Sequence, residues 1–357
     1  MSAPRDFTVN GLGRIGITLR NQDGLEPLQE NSLEFTGLAF AIHAGLSIPE
    51  KPEGRQALQR VGLVVVQEWT RAQIFRFGGD PNLMPRYVDE FLLAVRRDFP
   101  RVIVGGVQGP DVIAETRRMR GWNGDLFRFD AKHAAGIYYN LSHVTRMASA
   151  ARQSSDGSSE GRKMGNRFRS FLFLLAVATT HELTHVFITY LAQGQDVIES
   201  YTPPEVSYLN YIGLSDGDNH PMTGESGRWL ESRLFGGSIE FYRDSSDDSG
   251  QAGIPYILDS EGLARKIQPA CVLQLVTRVN EFRTFPFETT GRPMTYQQRR
   301  AKGLLSLGST EATGQQVGGT FMRPRRERPQ RLYNIPVSEL SRVPLEPRRA
   351  LRVRQVA

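Results

Sequence analysis

From Asn166 to about Gln193 the chain runs without a proline or a glycine. Arg167 and Arg169 lead into the apolar run FLFLLAVA, and Gly194 supplies a C-terminal stop. Apolar side chains lie nearly all round this helical pattern, so the helix must be covered on most sides by the rest of the fold. At 357 residues and 40.0 kDa the chain is long enough to do this, as two compact units or one large one. Its 39% hydrophobic and 23% charged residues exclude collagen-like, coiled-coil and wholly disordered classes.

Inside that apolar helix sits His181-Glu182-Leu183-Thr184-His185. Histidines at i and i+4 project from one helical face about a turn apart, so their imidazoles can converge on one zinc ion. Glu182, next to the first histidine, can hold a metal-activated water and take its proton. With 6 His and 22 Glu in the chain, HExxH should arise by chance with a probability of roughly 0.006. A buried helix is also a costly place for polar groups that do nothing for one another.

The stretch ATTHELTHVF, Ala178 to Phe187, carries no charge except Glu182 and no proline, and it resembles the active-site helix of the zincin clan of metallopeptidases. The resemblance covers at most residues 130 to 245. It implies an α+β, zincin-like catalytic domain with a small mixed sheet, a Zn2+ cofactor, and hydrolysis of peptide bonds with Glu182 as the general base. The glycine and third histidine of metzincins are not matched, because no histidine follows Gly194 until His220. Gluzincins instead take a glutamate from a second helix, and GESGRWLESRL, from Gly224 to Leu234, is similar to that helix. The resemblance therefore makes Glu225 the third metal ligand beside His181 and His185. Its carboxylate is expected within about 5 Å of both imidazoles, since each zinc bond is near 2 Å. Glu231 stands as the second choice and Glu240, in the strand-like SIEFY, as the third. Glu225 has Trp229 rather than an acid at i+4, which leaves the groups that orient the histidines unassigned. Zincins also keep an edge strand for extended substrate shortly before the helix, here matched to GIYYNL, Gly136 to Leu141. Tyr201, Tyr208, Tyr211 and His220 lie between the two helices and could donate to an oxyanion, though none is singled out.

Elsewhere the reading is structural. VGLVVVQEW at 61 to 69 and VIVGGV at 102 to 107 read as strands, and 85 to 99 as an amphipathic helix. Residues 151 to 166 read as a flexible surface insert and 244 to 253 as a second break. Gly11, Gly13 and Gly16 have dinucleotide-site spacing, but only Ile17 to Arg20 follow before turn residues, so a glycine-rich turn is the preferred reading. Three regions result: an N-terminal region at 1–105, a metallopeptidase-like domain at 106–300, and a Pro/Arg-rich, largely extended tail at 301–357. The net charge is +6, but Phe321 to Ala357 hold ten arginines and three glutamates, a net of +7, which leaves 6 − 7 = −1 for the other residues. Basicity thus belongs to the tail, where weak polyanion contact is expected. A single cysteine, Cys271, and the absence of a signal-like start or an uncharged apolar span imply an intracellular protein that does not enter a membrane. Peptides or proteins would be its substrates. The rival readings are a catalytically inactive zincin-fold interaction protein, and a SprT-type protease that acts on DNA-bound proteins through the tail.

Overall fold

The computed structural model of the chain describes residues 7–8, 11–22, 24–73, 77–107, 112–195, 201–209, 224–248, 250–304, 306 and 334–336. The N-terminal portion contains β1 (Phe7–Thr8), β2 (Arg14–Ile15), β3 (Ile17–Asn21) and β4 (Gly24–Pro27). Helices α1 (Leu33–Ser47), α2 (Pro52–Ala72) and α3 (Met84–Arg97) follow, then β5 (Arg101–Val104) and β6 (Ala114–Arg120). The short α4 (Ala131–Ala134) leads into β7 (Ala135–Tyr139), α5 (Leu141–Gln153) and the long α6 (Ser159–Leu191). Beyond it come α7 (Ser226–Leu234), β8 (Ser238–Tyr242), β9 (Ile254–Leu258), β10 (Ala264–Ile267), α8 (Pro269–Thr277), β11 (Thr289–Met294), α9 (Tyr296–Ala301) and β12 (Asn334–Pro336). The fold is mixed α+β.

The 33-residue α6 is its axis. Ser158 caps it, accepting a hydrogen bond from the Gly161 amide, and Glu160 in the first turn complements the helix dipole. Nearly every residue from Phe171 to Leu191 is buried, because α1, α5, α7, α8 and β6 all pack on this helix. It is the one described helix long and apolar enough to cross a membrane, but its apolar window lies wholly inside the fold.

Beside α6 stands a six-stranded mixed sheet in the order β12-β6-β7-β5-β3-β4. Strands β3, β5 and β7 run parallel, with Ile17 opposite Val102 and Val102 opposite Ile137, while β4 and β6 are antiparallel to their neighbours β3 and β7. Strands from both sides of residue 105 thus pair in one sheet. A second, antiparallel sheet has the order β11-β10-β9-β8.

Three sequence expectations are corrected. Residues 61–69 belong to α2 and are not a strand: Leu58, Val61, Val65, Val66 and Trp69 are buried at helical spacing, while the apolar Leu63 is exposed and hides that period. The 151–166 insert is mostly helical, since α5 continues to Gln153 and α6 begins at Ser159. Arg167 is held there by Asp247 and Asp248 of the second break, at 2.8 and 2.9 Å. Of the segment 136–141, residues 136–139 lie in β7 while Asn140 caps α5 and Leu141 begins it, and β7 is paired on both sides and is not an edge.

The glycine-spaced segment is a turn that leads into β2 and β3, with no helix after it. A side chain at position 13 would come within 1.9 Å of the Arg97 carbonyl oxygen, so Gly13 is required by close backbone packing. Of the tail, only the end of α9 with its following residues and β12 lie among the described residues.

Candidate metal centre

The helical repeat of α6 aims His181 and His185 at the start of α7, and both are at most 4% exposed. Helix α7 begins where it does because the preceding turn is pinned. The Gly224 amide donates to the Thr202 carbonyl at 2.8 Å and the Glu225 amide to the Val206 carbonyl at 2.9 Å. Glu225, at the N-terminal boundary of α7, turns its carboxylate towards α6. Its Oε1 lies 2.8 Å from His185 Nε2 and 3.2 Å from His181 Nε2, inside the expected 5 Å, and the two Nε2 atoms are 3.3 Å apart.

These three atoms form a triangle that a metal ion can cap. Ligands held about 2.05 Å from a tetrahedral zinc lie about 3.3 Å from one another, close to the separations found. Together they are a buried group of two imidazoles and one carboxyl group that could hold a divalent ion.

Among the residues that follow Glu225, two are small for reasons the geometry makes explicit. A Cβ at Gly227 would fall 2.5 Å from the His181 ring, so only glycine lets that imidazole lie against α7. Ser226 Oγ is 3.1 Å from His185 Nδ1 and accepts a hydrogen bond from Thr202 Oγ1 at 3.1 Å.

The second-choice ligand, Glu231, has a different place. Its Oε1 is 2.6 Å from His181 Nδ1, on the side of the ring away from Glu225. Its Oε2 accepts from Arg228 Nη1 and the Ile239 amide, both at 2.9 Å. Burial opposes its ionisation, but Arg228 and then His181 outweigh this and hold the carboxyl at about 2. A carboxylate there accepts the Nδ1 proton and leaves the His181 Nε2 lone pair pointing at the triangle. Nothing in the sequence assigned this role to Glu231, because six residues are about 600° of helical turn and do not set it on the face of α7 that carries Glu225. Glu240 stands further back, 3.4 Å from Arg228 Nη2.

Glu182 is 2% exposed, and its backbone carbonyl accepts a hydrogen bond from Thr116 Oγ1 of β6 at 3.0 Å. Tyr208 donates to the Leu258 carbonyl, and the Tyr201 ring lies 4.1 Å beneath the Arg118 guanidinium. Burial lowers that guanidinium to about 10. Tyr211 and His220 lie outside the described residues.

Comparison with protein-family models, with characterised proteins and with solved structures finds no match.

Proposed function

We propose that the chain is a zinc-dependent peptidase of the zincin class, with His181, His185 and Glu225 as metal ligands. The observation that supports this reading most is the triangle of two Nε2 atoms and Glu225 Oε1, set at zinc-ligand spacing beside a glutamate that follows the first histidine. When bound, the ion would supply Lewis-acid polarisation of a peptide carbonyl and lower the pKa of water towards neutrality.

The protein's own groups do the rest. Glu231 keeps the His181 proton on Nδ1, so Nε2 remains a donor to metal. Ser226 Oγ can accept the corresponding proton from His185 Nδ1. Glu182 takes a proton on its carboxylate and returns it to the leaving amine. Peptides or proteins are then the substrates, and an intracellular location goes with the reading.

Glu182→Gln tests it. The variant should bind zinc at the wild-type stoichiometry and lose hydrolysis of a mixed peptide pool. Equal turnover by variant and wild type would sink the mechanism. The burial of His181, Glu182, His185 and Glu225, each at most 8% exposed, favours as second reading an interaction protein in which the metal only braces α6 against α7. In that case neither protein cleaves, while both bind zinc and unfold at higher temperature with it.

A further inference from the structure

Strand β6 packs on the helix that carries the candidate centre. Its Thr116 hydroxyl bonds to the Glu182 carbonyl, and its Arg118 covers Tyr201, the residue before the Thr202 that bonds to Ser226. One edge of β6 is taken by β7. On the other edge, among the described residues, Asn334–Pro336, a segment of the Pro/Arg-rich tail, adds in parallel with Asn334 opposite Arg118, Ile335 opposite Met119 and Pro336 opposite Arg120. The tail thus supplies a sheet strand across a long stretch of intervening sequence.

Spacing shows what such a strand would obstruct. Positions 116 and 118 of a strand are about 6.6 Å apart and neighbouring strands about 4.8 Å, so the backbone at 334 lies roughly 8 Å from that of Thr116. An extended peptide that approached Glu182 from the sheet side by pairing along β6 would meet the tail at Arg118–Arg120, the part of that edge which Asn334–Pro336 holds. The buried state of all four candidate residues agrees with a closed site.

We propose that β12 is an autoinhibitory strand: the tail occupies the outer edge of β6 and must leave it before an extended peptide can pair there and reach the centre. The occupancy part stands on the sheet pairing alone, and the inhibitory part rests on the peptidase reading. The two parts are separable by experiment. A segment this short, ending in a proline that has no amide to donate, holds the edge with few hydrogen bonds and is suited to release.

The test uses the full chain and its Ile335→Pro variant, which removes one backbone donor from β12. Deletion of residues 334–336 serves as a second variant, since successive amides of a strand face opposite sides and the deletion removes whichever of them faces β6. Hydrogen exchange of the β6 amides that face away from β7 should quicken, about fivefold for each backbone hydrogen bond lost, with α6 unchanged. A synthetic peptide of residues 331–340, RLYNIPVSEL, should bind the variants more tightly than the wild type and restore that protection. Unchanged exchange and equal peptide binding would overturn the occupancy. Turnover of a mixed peptide pool should rise in the variants and fall again as the 331–340 peptide is added. If exchange and peptide binding respond while turnover is present but equal in all forms, inhibition is overturned. If no form shows turnover, the peptidase reading fails and takes inhibition with it, while the exchange result still decides occupancy.

Discussion

Replacing Glu231 by glutamine separates a positioning role from mere packing, because the substitution preserves volume and removes only charge and one acceptor. The carboxylate faces three donors: His181 Nδ1 at 2.6 Å on one oxygen, and Arg228 Nη1 and the Ile239 amide, each at 2.9 Å, on the other. An amide has a single oxygen, which is best kept on the side with two donors. Its NH2 then faces His181 Nδ1, and the imidazole must move its proton to Nε2 to accept that hydrogen bond. An Nε2–H cannot ligate a metal, so the ring has to change tautomer on binding. Loss of a group that orients a ligand histidine typically costs about 10- to 100-fold in metal affinity. Zinc affinity measured against a chromophoric chelator should therefore fall by that factor in Glu231→Gln. The same change at Glu240, which pairs with Arg228 at 3.4 Å, should leave it within about threefold, the ordinary scatter of such effects. Equal zinc affinity in Glu231→Gln and wild type would refute the tautomer argument. Because Arg228 would lose an ionised partner at 2.9 Å while keeping Glu240 at 3.4 Å, the variant should also lose stability, on the order of 3 kcal/mol for a broken buried ion pair.

Gly227→Ala should displace the His181 ring, with zinc affinity reduced and stability lowered by about 1–3 kcal/mol, the usual cost of overpacking; chelator competition and thermal unfolding check it. His143 makes the stability pH-dependent: burial first, and Arg146 second, lower its pKa to about 4 from the ordinary 6.5. Among the described residues, neither of its ring nitrogens has a hydrogen-bond partner. Between those values the unfolded chain binds a proton that the folded one refuses, so this group's contribution is complete above pH 6.5 and is lost as the pH falls towards 4. The gap of 2.5 units corresponds to about 3 kcal/mol at 1.36 kcal/mol per unit. Denaturant unfolding at pH 7 and pH 4 should show His143→Leu with a smaller acid loss by about that amount; an identical loss would show that the ring is protonated in the fold.

The long helix was legible in the sequence because one physical requirement dominates it: an apolar surface nearly all round has to be buried, whatever surrounds it. The 61–69 segment was not, and the reason is local. Val64 and the exposed Leu63 fill positions that a half-buried helix would normally give to polar residues, so β-branched propensity outweighed the helical period of Leu58, Val61, Val65 and Trp69. The polar 151–166 stretch misled in the opposite direction. Its serines act as local caps, Ser158 on the Gly161 amide, and the helix they start is held by Arg167 pairing with Asp247 and Asp248, roughly eighty residues on. No local window contains that partner.

For the candidate centre the division falls between chemistry that is local in sequence and chemistry that depends on packing. The i, i+4 histidines follow from helical geometry alone, whereas Glu225 is ranked first on the likeness of its segment, a glutamate followed by small and then bulky residues, to the second helix of gluzincins, without the geometry that makes the small residues necessary. That geometry is the approach of α7 to α6: the His181 ring occupies the space a Cβ at 227 would take, and the Ser226 hydroxyl meets His185 Nδ1. Helix α7 then brings Glu231, six residues after Glu225, to the far side of the same imidazole. One short helix thus places a carboxylate on each nitrogen of His181, one at Nε2 and one at Nδ1. With Oε2 of Glu231 anchored by Arg228 and the Ile239 amide, its Oε1 remains for Nδ1, and this fixes which of the two nitrogens keeps the proton. The orientation of His181 is therefore set by α7 and the start of β8, so a change in that packing should alter metal affinity before it alters the fold of α6.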